Sequence, residues 1–178
     1  MAANILFVDD EPLILEGIAA VLRKEKYNVL KAGSGREALE ILKRHVVDII
    51  VTDESMPEML GHELLCRVSR MYPSTIRILL TGNTSKNTLI HVINEVGIYR
   101  FLSKPCPAEA LIGALNDALY HKAYNEDKEK AAILKLEQEE PGITSVDYTE
   151  DGSILLADND IDLMKLEESL SKRLYVDK

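Results

Sequence analysis

The amino-acid sequence predicts an α/β protein, with a parallel sheet covered by helices on both faces. Three observations carry that expectation. Short, continuous apolar runs of the kind found in strands buried on both faces recur along the first two thirds of the 178 residues. Segments with apolar residues at helical spacing separate them, and this alternation is the pattern of parallel sheets. Two of the runs also stop at carboxylates, Asn4–Val8 at Asp9, Asp10 and Glu11, and Ile49–Val51 shortly before Asp53. Such sheets place ligand chemistry at the carboxyl ends of their strands.

Taken in order, Asn4–Val8 is the first strand, and Pro12, tolerated in a first helical turn, opens a helix expected to reach about Glu25. Tyr27–Ala32 is the second strand. Gly33-Ser34-Gly35 then turns into a helix, with Ser34 as N-cap and Glu37 three residues later completing a capping box. The third strand ends at Asp53, and Met56-Pro57 with Gly61 reads as the turn beyond it. A helix from Gly61 to about Met71 is stopped by Tyr72-Pro73. Thr75–Thr81 is the fourth strand, Ser85–Val96 the fourth helix, and Ile98–Leu102 the fifth strand, running into Ser103-Lys104-Pro105. A last helix begins near Pro107, with Leu111, Ile112, Leu115 and Leu119 on its apolar face.

Composition narrows the class. At 46% hydrophobic the chain can bury a full domain core, and no apolar run approaches the roughly 20 residues that span a bilayer. The N-terminus Met-Ala-Ala-Asn lacks signal-peptide character, so a cytoplasmic protein without membrane association is expected. Cys66 and Cys106 have no metal-ligand or disulfide spacing and read as ordinary thiols. Residues 1–120 hold 15 acidic and 13 basic side chains, net −2, whereas residues 121–178 hold 15 and 8, net −7. A chain that neutralises nucleic-acid phosphates needs a basic face, so no nucleic-acid binding by these residues is expected.

At the carboxyl edge the strand ends bring together Asp9, Asp10, Asp53, Thr81 and Lys104. Gathered carboxylates repel unless a cation sits among them, and Mg²⁺, which takes oxygen ligands and keeps several waters, suits the set. With Mg²⁺ and the Lys104 ammonium in place, one carboxylate can act as an in-line nucleophile toward a phosphoryl group while a hydroxyl bonds the transferred oxygens. Each part alone is common; their joint occurrence at successive strand ends is specific.

The motifs Phe7-Val8-Asp9-Asp10-Glu11, Asp53-x-x-Met56-Pro57-x-x-x-Gly61, Leu80-Thr81-Gly82 and Phe101-Leu102-Ser103-Lys104-Pro105 stand in one order and resemble the response-regulator receiver domain of two-component signalling. The resemblance covers roughly residues 4–120. It implies a flavodoxin-like, three-layer, doubly wound fold with five parallel strands in the order 2-1-3-4-5. It implies roles as well. Asp53 is the phosphoacceptor; Asp10, Asp53 and the Ser55 carbonyl ligate Mg²⁺, with Asp9 acting through a water. Lys104 pairs with the phosphoryl group and Thr81 moves in to hydrogen-bond it, while the Lys104-Pro105 bond is cis. Phe101 takes the place of the family's switch aromatic, coupling the pocket to the face made by the fourth helix, fifth strand and last helix. Tyr99 competes for that role, and strand alternation puts both on one side of the sheet. Ser55 and Asn83 stand where the family tunes the lifetime of the phosphoryl group. The sequence departs from many members at Leu60 and Cys106 without losing a functional group.

After Tyr120 the last helix is expected to continue as a linker to about Glu140, since no Gly or Pro intervenes before Pro141-Gly142. Residues 141–178 then form a small tail of hairpin plus helix. Ile143–Tyr148 and Ser153–Ala157 flank an Asp151-Gly152 turn, and a leucine-spaced helix follows from about Asp158. The acidic run Asp158–Asp162 fails the calcium-loop pattern, having Leu163 where that loop needs Gly, and reads as a helix cap.

The functional expectation is a phosphorelay switch rather than an enzyme, self-catalysing only its own phosphorylation and dephosphorylation. It takes phosphate from a sensor histidine kinase or phosphotransfer protein and presents a changed face to a target protein. A homodimer has two candidate surfaces, the switch face and the extended last helix. The alternative is the regulatory receiver part of a larger enzyme, a cyclic-dinucleotide hydrolase or cyclase.

Overall fold

Side-chain alternation along the first strand sets the layering: Ile5 and Phe7 enter one core, Leu6 and Val8 the other. The computed structural model describes residues 2–82, 97–139, 147–148 and 154–155. Its elements are β1 (Ala3–Val8), α1 (Pro12–Leu22), β2 (Tyr27–Ala32), α2 (Gly35–Leu42), β3 (Ile49–Asp53), α3 (Gly61–Met71), β4 (Ile76–Thr81), β5 (Arg100–Ser103) and α4 (Ala108–Glu139). Two short strands follow, β6 (Asp147–Tyr148) and β7 (Ile154–Leu155).

The main sheet has the order β2-β1-β3-β4-β5 with every pair parallel, as expected of a doubly wound fold. One face packs on α2 and α3 through Ala38, Leu42, Leu64, Leu65 and Val68; the other packs on α1 and α4 through Leu15, Leu22, Leu111, Leu115 and Ala118. β3 lies between the two layers with all five residues buried, so each side chain of Ile49-Ile50-Val51 meets apolar neighbours and the strand needs no polar face. The expected fourth helix, Asn83, the turn between β6 and β7, and the tail helix lie outside the described residues. β6 and β7 themselves pair antiparallel, Tyr148 opposite Ile154.

Several boundaries move for identifiable reasons. α1 ends at Leu22 rather than near Glu25, because Arg23 and Glu25 donate to the carbonyls three residues back, Ala20 and Leu22, and tighten the chain into turns. At α2, Ser34 Oγ accepts from the Glu37 N–H at 3.2 Å, but the Glu37 carboxylate accepts from Gly33 N at 2.7 Å. The box closes one residue earlier than the sequence pattern implies. α4 runs unbroken for 32 residues. By its contacts the chain divides into a first unit, Met1–Lys128, and a second, Glu129–Lys178. Among the described residues no helix is long and apolar enough to cross a membrane.

Gly61 brings α3 against the end of β3. A Cβ there would collide with the Asp53 backbone carbonyl oxygen and come within 2.9 Å of both the Asp53 carbonyl carbon and Leu79 Cδ1. Backbone cannot yield as a flexible side chain can. Gly61→Ala is therefore expected to lower stability by about 2–3 kcal/mol in urea unfolding. A loss under about 0.5 kcal/mol, within the range of an ordinary surface substitution, would show that α3 can shift without cost.

Candidate functional site: an acidic pocket at the carboxyl edge

The parallel register brings the predicted residues together. β1 pairs Val8 with Thr52 of β3, so Asp9 and Asp53 sit side by side one step further on. β4 pairs Thr81 with Ser103 of β5, and the Lys104 N–H donates to the Thr81 carbonyl at 2.8 Å. Lys104 therefore enters the pocket from the next strand end but one. Its Nζ lies 2.7 Å from Asp53 Oδ1 and donates to Asp9 Oδ2 at 2.9 Å. The Lys104-Pro105 bond is cis.

Asp9 and Asp53 are almost wholly buried, at 2% and 6% exposure, so their charges must be met within the protein. Lys104 meets one oxygen of each. The others are met by backbone: Glu11 N donates to Asp9 Oδ1 at 3.0 Å and Ser55 N to Asp53 Oδ2 at 2.9 Å. Burial of Lys104 works against its charge, but hydrogen bonds and Coulomb attraction from Asp53 and Asp9 outweigh that cost, and its ammonium titrates above the ordinary lysine value.

Thr81 is buried at the end of β4. Asp10 is exposed and lines, with Ser34, Arg36, Pro57 and Glu58, an open groove of about 500 Å³. Asn83 lies outside the described residues. The shared face expected for Tyr99 and Phe101 is not found: Phe101 packs with the α2/α3 core, Tyr99 with the α1/α4 core. The reason is that β5 starts at Arg100, so Tyr99 precedes the strand and escapes its alternation. Its ring lies 5.2 Å from that of His121, with the Arg100 guanidinium 5.6 Å from its centroid.

One pair was not anticipated from the sequence. Glu54 follows Asp53, and its carboxylate accepts from His62 N at 3.0 Å while lying 2.6 Å from His62 Nδ1. With the Gly61 N–H donating to the Glu54 carbonyl at 3.0 Å, this pair clamps the first turn of α3 to the end of β3. The two residues are eight apart across an irregular turn, and no periodic pattern signals such a contact. Met56, 95% buried, anchors that turn from below.

The donor set fits a hard divalent cation in kind, with Asp9, Asp10, Asp53 and the Ser55 carbonyl all presenting oxygen near adjacent strand ends. Among the described residues no three acidic, histidine or cysteine side chains are gathered into a ready-made cage. Mg²⁺ does not require one, because it keeps several waters.

Comparison with known proteins agrees with this geometry. Residues 5–116 match the family described as response regulator receiver domain, and the chain belongs to it. The transcriptional regulatory protein GlrR of Escherichia coli (strain K12) is 36% identical over 121 residues, which cover 68% of this chain and 27% of that protein. The response regulator GtcR of Aneurinibacillus migulanus is 31% identical over 132 residues, covering 74% of this chain and 54% of the other. The chain thus spans from about a quarter to about half of these relatives' lengths. Among solved structures, the signal receiver domain of an HD domain-containing protein from Pseudomonas fluorescens Pf-5 superposes with a TM-score of 0.67 at 37% identity, covering 70% of this chain and 99% of that one. The chemotaxis protein CheY4 of Vibrio cholerae gives 0.62 at 32% identity, covering 66% and 99%.

Lys104→Met leaves two buried carboxylates facing each other without their ammonium. It is expected to cost about 2–3 kcal/mol at pH 7, measured by urea unfolding, because the two buried acids lose the cation they share. In the native protein the contribution of Lys104 is lost only at high pH. A raised lysine pKa gives a contribution fully present below about 10.4, lost only as pH climbs through the folded-state value.

Glu58 adopts φ 66°, a left-handed backbone that side chains disfavour. Its pair with Arg36, at 2.6 Å, is largely exposed on both sides and contributes little. Glu58→Gly should therefore raise stability by about 0.5–1 kcal/mol in thermal unfolding.

Proposed function

We propose that this receiver domain is a phosphorylation-controlled switch in which Asp53 accepts a phosphoryl group from a histidine kinase or phosphotransfer protein. The observation that carries it is the single ammonium of Lys104 held between the buried carboxylates of Asp9 and Asp53 at adjoining strand ends. A structural ion pair needs one carboxylate; a second buried beside it is a cost that function must justify.

The chemistry follows from the placement. A carboxylate oxygen of Asp53 attacks phosphorus in line as the phosphorus–nitrogen bond to the donor histidine breaks. The bonding pair leaves with the imidazole nitrogen, and an acyl phosphate forms on Asp53. Lys104, already at the attacking carboxylate, is placed to pair with the phosphoryl oxygens, and the Thr81 hydroxyl to hydrogen-bond one of them. Receiver domains bind Mg²⁺ at this acidic pocket. Here Asp10, Asp53 and the Ser55 carbonyl would hold it, with Asp9 through a water, and when bound it neutralises the phosphoryl charge. The same groups account for self-catalysed dephosphorylation, with Ser55 and Asn83 setting its rate.

Phe101 is the switch aromatic that couples the pocket to the face made by the fourth helix, fifth strand and last helix, and Tyr99, packed on the other side of the sheet, is the competing candidate for that role. The changed face then meets a target protein or a second copy. The reading as part of a cyclic-dinucleotide enzyme has less support, since the curated relatives reported above carry regulatory names.

Incubation with a small acyl-phosphate donor and Mg²⁺ should add one acid-labile phosphoryl group to the native chain by intact mass, and none to Asp53→Asn. Uptake at the native level by the variant would place the acceptor elsewhere.

A further inference from the structure

The phosphoacceptor strand has a lysine at each end. Lys104 holds Asp53 at its carboxyl end; at the other, Lys122 Nζ lies 2.7 Å from Oδ1 of Asp48, the residue preceding β3. Both lysines follow β5, which ends at Ser103. Lys104 stands four residues before the helix begins and Lys122 fourteen residues into it. At 1.5 Å per helical residue those fourteen residues cover about 21 Å, and the five residues of β3 cover about 17 Å. The helix therefore starts beside the phosphoacceptor and reaches the opposite edge of the sheet.

Asp48 is a firm anchor. Its Oδ2 accepts from Asn4 N at 2.8 Å, its N–H donates to the Asn4 carbonyl at 2.9 Å, and its carbonyl accepts from Ile76 N at 2.9 Å. It is thereby stitched to the starts of both β1 and β4. The other side of the contact is more telling. Among the described side chains from Tyr120 to Leu134, Lys122 alone is not exposed; Tyr120 and Tyr124 stand 76% and 59% exposed. Among the described side chains, the apolar packing of α4 against the sheet ends with Ala118 and Leu119. Beyond that point the helix is held to the sheet by the Lys122–Asp48 pair, with His121 against Tyr99 beside it. The pair is only 16% and 25% exposed, so it is less screened than a surface pair. Glu126, 4.0 Å from Lys122 and half exposed, competes poorly.

We propose that Lys122 is a positioning residue, latching the turns after Tyr120 to the phosphoacceptor strand through Asp48, so that a change at Asp53 is delivered to those turns. Lys122 lies beyond residue 116, where the family match ends, while Asp48 lies within it. The delivery step rests on the phosphoacceptor reading; the latch does not.

Hydrogen exchange by mass spectrometry on the full chain separates the two. Without ligand, Lys122→Met should speed exchange of amides 119–128 by ~10-fold while β1 and β3 stay protected, Asp48→Asn should do the same, and Lys122→Arg should stay within ~3-fold of native. Native protection in Lys122→Met overturns the latch. With beryllofluoride and Mg²⁺ as the phosphoryl mimic, exchange at 119–128 should change in the native chain and not in Lys122→Met, although residues around Asp53 respond in both. A response around Asp53 with none at 119–128 of the native chain overturns the delivery step. No response at Asp53 overturns the phosphoacceptor reading itself, and the ligand-free arm still decides the latch.

Discussion

The site depends on one ammonium held between two buried carboxylates. Lys104 can reach Asp9 and Asp53 together only because β1, β3, β4 and β5 are parallel and in register, so that all four strand ends fall on one edge. Antiparallel pairing would send alternate ends to opposite edges and leave two buried acids without a partner. The sheet topology and the charge balance of the pocket are therefore one constraint. That constraint explains why β3 is buried along its whole length yet ends in a charged residue.

Close packing around the pocket serves the same end. Gly61 lets α3 begin against the Asp53 backbone, and the Glu54–His62 pair holds that turn in place. Ser55 N and Glu11 N fix the carboxylate oxygens that Lys104 does not reach. Each buried acid thus has one oxygen held by backbone and one paired with the Lys104 ammonium. A lysine on a flexible stem can turn from a carboxylate to a phosphoryl group without disturbing the backbone bonds.

Much of this was legible in the sequence. The strands could be recognised because β1, β3 and β4 are short apolar runs with few competing signals, and Asp53 because a carboxylate ends one of them. Lys104 could be placed at the same edge from chain order alone, but its simultaneous hold on Asp9 and Asp53 depends on register, which strand patterns do not encode. Tyr99 and Phe101 were assigned one face because they stand two positions apart; β5 begins between them, so the alternation never applied. The Glu54–His62 clamp and the Lys122–Asp48 pair were invisible because each joins residues across a turn or across the whole fold. Helix boundaries were off by a few residues where local i to i−3 bonds, rather than apolar spacing, decide the end.

The central claim is that Asp53, and not its acidic neighbours, carries the phosphoryl group. Reduction of the phosphorylated chain with borohydride converts an acyl phosphate to an alcohol and marks the residue, and peptide mapping then locates it. The account predicts a single homoserine in place of Asp53. A mark at Asp9 or Asp10, or no mark on a chain that has gained phosphate, would contradict it.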